Sequence, residues 1–116
     1  MELNNMFREV NDDIQILQWG ENITLQNVEH FRQMMEQLIN HESECLILNL
    51  AGMNYINSAG LGIIVDAVMT ARKNMKELIL CDISQSVKEI FVIVKFSAIM
   101  KMVDSEEMAI EYFSGS

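Results

Sequence analysis

Proline is absent from the 116 residues, and glycine occurs only five times. Without clusters of these residues no flexible linker is marked, and neither a repeat nor a low-complexity run is visible. For this length the expectation is one compact domain over residues 1–116. Cysteine is limited to Cys45 and Cys81, each inside an apolar run. Free buried thiols are expected of them, not a disulfide framework. Basic side chains are also scarce: 8 Lys and Arg stand against 17 Asp and Glu, a net charge of -9. A surface so acidic repels phosphate backbones and anionic headgroups. Direct nucleic-acid binding and membrane-surface binding are therefore not expected. Long apolar runs are missing too; a stretch such as Ile90–Val94 is far too short to cross a bilayer. The N-terminus lacks the basic start and apolar core of a signal peptide, so a cytoplasmic location is expected.

What is present is a substantial apolar fraction, 50 % of the chain, with ten methionines that lend it some plasticity. Met6–Val10 and Ile14–Trp19 read as two strands around the turn Asn11-Asp12-Asp13, with Gly20 closing the hairpin. Leu25, Val28, Phe31, Met34, Met35, Leu38 and Ile39 recur at helical spacing, which predicts a helix from about Leu25 to Asn40. Cys45–Leu50 and Leu78–Cys81 are short, nearly continuous apolar runs, as in strands buried on both faces. Between them Leu61, Ile64, Val65, Val68 and Met69 mark a second helix from Ala59 to about Lys73. Ser86 with Glu89 suggests a capping box for a third helix carrying Val87, Ile90, Phe91 and Val94. Ala98–Met100 is the expected short edge strand. Asp104 with Glu107 suggests the cap of a last helix ending near Phe113. Strands separated by single helices pair in parallel, and the opening hairpin adds an antiparallel edge. The fold class is therefore α/β, with a mixed four- to five-stranded sheet and about four helices packed around it.

The segment Asn57-Ser58-Ala59-Gly60-Leu61-Gly62 opens the second helix, with Ser58 at its N-cap or within one residue of it. On spacing alone, Ser58 reads as a cap and the glycines as positions that let the helix approach the sheet. The same features suit a phosphoacceptor. A helix start offers free N–H groups and partial positive charge, which would stabilise a phosphate on Ser58. Gly60 would leave room for a partner. An enzyme is not expected. Ser58 lies in no Gly-x-Ser-x-Gly elbow, and His30 and His41 read as solvated helix residues. No P-loop or dinucleotide fingerprint is present, so no cofactor is expected. Glu106-Glu107 and Asp12-Asp13 lack convergent His or Cys and read as a helix start and a turn, not a metal site.

Ile56-Asn57-Ser58-Ala59-Gly60-Leu61-Gly62, placed after the strand Leu46-Ile47-Leu48-Asn49-Leu50, resembles the signature of STAS domains, the family joining sulfate transporters and anti-sigma factor antagonists. The element order resembles that fold over nearly the whole chain, and Gly20-Glu21 matches the family's early glycine. The resemblance implies an anti-sigma factor antagonist that acts by partner switching. It would bind an anti-sigma factor that is also a serine kinase, be released by phosphorylation of Ser58, and be restored by a serine phosphatase. Asn22, Thr24, Asn57, Ser58, Ala59, Gly60 and Leu61 are the implied partner-binding residues. The alternative is a phosphorylation-independent STAS scaffold in a stress-signalling or lipid-transport assembly. Three positions depart from the family pattern. Asn57 stands where Asp usually precedes the phosphoacceptor, and Asn49 where Asp often ends the preceding strand. Asn22, Ile23 and Thr24 fill a stretch where an Asp is common. Asparagine keeps hydrogen bonding and loses the charge.

Overall fold

The computed structural model describes residues 5–115. Along them run β1 (Asn5–Val10), β2 (Ile14–Trp19), α1 (Val28–Asn40), β3 (Cys45–Asn49), α2 (Ser58–Lys73), β4 (Glu77–Cys81), α3 (Gln85–Ile93), β5 (Lys101–Val103) and α4 (Glu106–Ser114), with a 3-10 turn at Phe96–Ala98. The five strands lie side by side in chain order. The β1–β2 hairpin is antiparallel, and β2 through β5 are parallel. Asn11 and Asp12, both left-handed (φ 56° and 64°), make the tight hairpin turn that short polar side chains tolerate best.

Alternation within the strands divides the core in two. Leu17, Leu48 and Leu80 stand in one cross-strand row; Ile16, Ile47 and Ile79 stand in the next. The leucines pack with Trp19 of β2 and with Phe31, Leu38, Ile64, Val68, Val87 and Phe91 on the buried faces of α1, α2 and α3. The isoleucines pack with Cys81 and Ala109, flanked by Ile110 and Phe113 of α4. Three helices therefore cover one face of the sheet and α4 the other. Methyl-rich side chains on both faces are what the unbroken apolar runs of β3 and β4 require.

The mixed sheet and the four helices agree with the sequence, while several boundaries and caps differ. The first helix starts at Val28, not Leu25. Short polar side chains bind the preceding turn instead: Thr24 N–H donates to Asn27 Oδ1 (2.9 Å) and Gln26 N–H to Thr24 Oγ1 (3.2 Å). Such local bonds compete with the helix, and Leu25 is left 89 % exposed. Asn57 caps α2, its Oδ1 accepting from Gly60 N–H at 2.8 Å, and Ser58 stands one residue past the cap, within the expected range. Ser84, not Ser86, caps α3, and Ser105, not Asp104, caps α4. Glu89 accepts from the Gln85 side chain instead of closing a capping box. The last strand lies at Lys101–Val103, because Lys95 turns left-handed (φ 65°) and leads into the 3-10 turn where Ala98–Met100 was expected to extend.

Candidate functional site

The loop from Leu50 to Asn57 carries β3 into α2, and its path is set by close backbone contacts. Gly52 is left-handed (φ +100°), and a Cβ there would sit 2.8 Å from the Gly20 carbonyl oxygen. Only glycine permits this approach, which gives the early glycine of the sequence a neighbour. Ile23 and Ile56 form a parallel bridge. Ile23 N–H donates to Tyr55 O (2.9 Å), and Asn57 N–H donates to Ile23 O (3.1 Å). Asn22 Oδ1 accepts from both Asn54 N–H (2.7 Å) and Tyr55 N–H (3.1 Å). The loops after β2 and β3 are thereby stitched into one platform that delivers Asn57 to its capping position.

Ser58 is the first residue of α2 and is exposed. Its N–H and that of Ala59 have no hydrogen-bond partner among the described residues, and the first turn holds no acidic side chain. The positive end of a 16-residue helix is thus uncompensated at the Ser58 hydroxyl. Of the other residues implied as partner-binding, Asn22 and Ala59 are exposed, and Thr24 and Asn57 are half-buried. Gly60 and Leu61 face inward. A Cβ on Gly60 would meet Ile56 Cγ1 at 2.8 Å and Ile23 Cγ2 at 2.9 Å. Gly60 therefore serves the packing of α2 on the platform and not the approach of a partner. Gly62 is the open one: it is exposed, with no atom within 4 Å of a Cβ built on it.

Two site residues were missed in the sequence. Leu25 (89 % exposed) and Tyr55 (50 % exposed) line a shallow depression with Ser58, Ala59, Thr24 and Asn57. Leu25 fits the helical period by chance of spacing. The run of Asn and Thr around it was the signal for a turn.

Asn49 is buried at the end of β3. Its Oδ1 accepts from Ala51 N–H (2.8 Å), and its Nδ2 donates to Glu106 Oε1 (2.8 Å). Arg8 grips the same carboxylate with two bonds, of 2.6 and 3.0 Å. The Arg8 bonds, helped by the Asn49 amide, hold the Glu106 carboxyl below the usual carboxylate range. Burial pushes the Cys81 thiol far up, with Asp82 adding to it. His30 lies against Trp19, and His41 Nδ1 accepts from Ser43 N–H; neither hydrogen-bonds Ser58. Among the described residues no group of three His, Cys, Asp or Glu side chains is placed to hold a metal ion, and no helix is long and apolar enough to cross a membrane.

Comparison with known proteins places this geometry. The chain matches the sequence model of the STAS domain over residues 6–109. It is 29 % identical over 87 residues to BtrV of Bordetella bronchiseptica, which carries the name of an anti-sigma factor antagonist; the match covers 75 % of each chain. Its fold superposes on a Thermotoga maritima protein classed with the anti-sigma factor antagonists (TM-score 0.84, 20 % identity, 93 % and 92 % coverage). It also superposes on the anti-sigma factor antagonist SpoIIAA in its unphosphorylated form (TM-score 0.77, 18 % identity, 97 % of both chains).

Proposed function

The chain belongs to the STAS domain family, and on that premise we propose that it is a non-catalytic, cytoplasmic anti-sigma factor antagonist. In this reading residues 1–116 act as one domain, and the partner docks around Ser58. The observation that carries the proposal is the exposed Ser58 at the start of α2, in a turn without acid, flanked by exposed Leu25 and Tyr55. Small residues at Ser58, Ala59 and Gly62 let a partner approach closely, and the two large apolar side chains supply contact area. A few residues hold most of the energy of an interface, and Tyr is among the side chains enriched in that role.

Partner switching follows from charge. Phosphorylation of Ser58 by a serine kinase partner adds about -1.5 to -2 charges at the helix start. In the free protein the helix dipole offsets part of this, by up to ~1 kcal/mol at an exposed site. In a closed interface the same charge must be desolvated, which costs more than that gain. Phosphorylation therefore ends the contact without unfolding the domain, and a serine phosphatase restores it.

The test is a titration of the anti-sigma partner against the wild type, Ser58→Ala, Ser58→Asp and Leu25→Ser. Ser58→Ala keeps its affinity. Ser58→Asp weakens binding at least tenfold, about 1.4 kcal/mol. Leu25→Ser weakens it through lost contact area. Mass spectrometry after incubation with ATP and the partner detects phosphoserine at Ser58 in the wild type and none at that position in Ser58→Ala or Ser58→Asp. Equal affinities throughout, with no phosphoserine, would leave a phosphorylation-independent scaffold as the better reading.

A further inference from the structure

Asn49 uses both ends of its amide, and the two ends reach different parts of the molecule. Oδ1 holds Ala51 N–H, at the start of the loop that leads to Ser58. Nδ2 holds Glu106, the first residue of α4, on the opposite face of the sheet. Every group facing that carboxylate is fixed in turn. Arg8 of β1 donates to both of its oxygens and also to Gln18 Oε1 of β2 (3.1 Å). The Glu106 backbone N–H donates to Asp82 Oδ2 (2.9 Å).

The rest of α4 is held lightly. Ala109 is its one fully buried residue among those described; Ile110 and Phe113 are half-buried. Tyr112 ties the far end through an exposed hydrogen bond to Glu77. The carboxylate network is therefore a large part of what fixes the start of α4 to the sheet. We propose that Asn49 is a positioning residue that couples the docking of α4 to the order of the loop carrying Ser58. Its bearing on partner binding rests on the Ser58 reading given above; the coupling itself does not.

The physical argument concerns one torsion. The χ2 angle of asparagine is broad and only roughly two-fold, so its amide plane is fixed by hydrogen bonds and not by rotamer preference. With Glu106 in place, Nδ2 is pinned and Oδ1 points at Ala51 N–H. Without it, the plane is free to turn and the Ala51 bond loses its alignment. Aspartate at position 49 would set a second carboxylate against Glu106 at hydrogen-bond distance, and one of the two would have to move or take up a proton. Asparagine at this place is thus the counterpart of Glu106. Reversing the pair, Asn49→Asp together with Glu106→Gln, keeps the net charge and the bond between positions 49 and 106, and gives up the Arg8 Nη2 bond, which goes to the same Glu106 oxygen as the Asn49 amide. The carboxylate then on β3 accepts from the amide then on α4, whose oxygen still accepts from Arg8 Nη1.

Two reporters read the two ends. Cys81 is fully buried in the cluster that α4 closes, so a thiol reagent reaches it only when α4 lifts. The Ala51 backbone amide reports the loop by hydrogen exchange. In a Cys45→Ser background at neutral pH, Glu106→Ala and Asn49→Asp each speed both Cys81 labelling and Ala51 exchange at least tenfold. The reversed pair, Asn49→Asp with Glu106→Gln, brings both rates at least threefold back toward the parent, short of full recovery because one Arg8 bond is gone. Val68→Ala, a core truncation on the α2 face, sets what lost stability alone does to the two rates. Faster Cys81 labelling with unchanged Ala51 exchange would overturn the coupling, as would failure of the reversed pair to rescue it. Accelerations no larger than those of Val68→Ala would overturn it as well. None of these measurements involves the partner, so they stand or fall apart from the docking surface at Ser58.

Discussion

Gly60 and Gly62 stand two residues apart in α2 and answer to different constraints. An alanine methyl at 60 would press on the branched ends of Ile23 and Ile56 at 2.8–2.9 Å, inside a packed core. Overpacking of that kind costs about 1–3 kcal/mol, because a β-branched neighbour has few rotamers to retreat to. Gly60→Ala is expected to lower the urea midpoint accordingly. At 62 a methyl meets nothing and replaces a poor helix former in a helix interior. Gly62→Ala is expected to raise stability by about 0.5–1 kcal/mol. The same methyl occupies the floor of the proposed docking surface, so partner affinity should fall while stability rises. Parallel urea unfolding and partner titration separate the two effects. A Gly62→Ala variant that is more stable and binds unchanged would move the interface away from this turn of α2.

At the scale of the element, the start of α2 is set by Asn57. Its carboxamide oxygen does what an aspartate oxygen would do for Gly60 N–H, and Asp and Asn cap helices about equally well. With no acid in the first turn, Asn57→Asp adds a favourable charge–dipole contact of about 0.3–1 kcal/mol. The fold and the binding of unmodified protein should therefore survive this change. If a kinase reads an acid beside the phosphoacceptor, the initial rate of Ser58 phosphorylation by the partner rises with Asn57→Asp; an unchanged rate places that recognition elsewhere.

Caps were also where the sequence was hardest to read. Ser84 and Ser86, or Asp104 and Ser105, are near-equivalent capping choices one or two residues apart, and only the approach of the chain from the sheet selects one. The central strands Cys45–Asn49 and Glu77–Cys81 were legible because they must be apolar on both faces, and Ile14–Trp19 through the alternation of Ile14, Gln15 and Ile16 beside a polar turn. The three-residue edge strand had no such constraint. Ser58 was legible as a helix start. Its neighbours Leu25 and Tyr55 were not, because an exposed apolar residue in a loop leaves no period behind it.

Across the whole molecule, the acid network links β1, β2, β3 and α4, elements drawn from both ends of the chain. Its pH dependence follows from the direction of one shift. Glu106 has its pKa lowered in the folded protein, by the Arg8 hydrogen bonds first, and Arg8 is held charged in return. A carboxyl more acidic in the native state than in the unfolded chain contributes stability that is complete above the ordinary carboxylate range. That stability is lost as pH falls through the lowered native value. Net charge works the other way: protonating other acids relieves repulsion in a chain of charge -9. The two are separated by comparing wild type with Glu106→Gln. Relief of repulsion acts on both proteins alike, whereas the Glu106 contribution exists only in the wild type. The difference in urea midpoint should be largest near neutral pH, shrink below about pH 4.3, and be gone only once the pH lies below the lowered native value. A difference that stays constant over this range would mean that Glu106 holds α4 by shape and neutral hydrogen bonding, with its charge playing no part. Cys81 labelling, divided at each pH by the rate of a free cysteine because only the thiolate reacts, assigns the transition to α4, the helix that packs over the cluster holding this thiol.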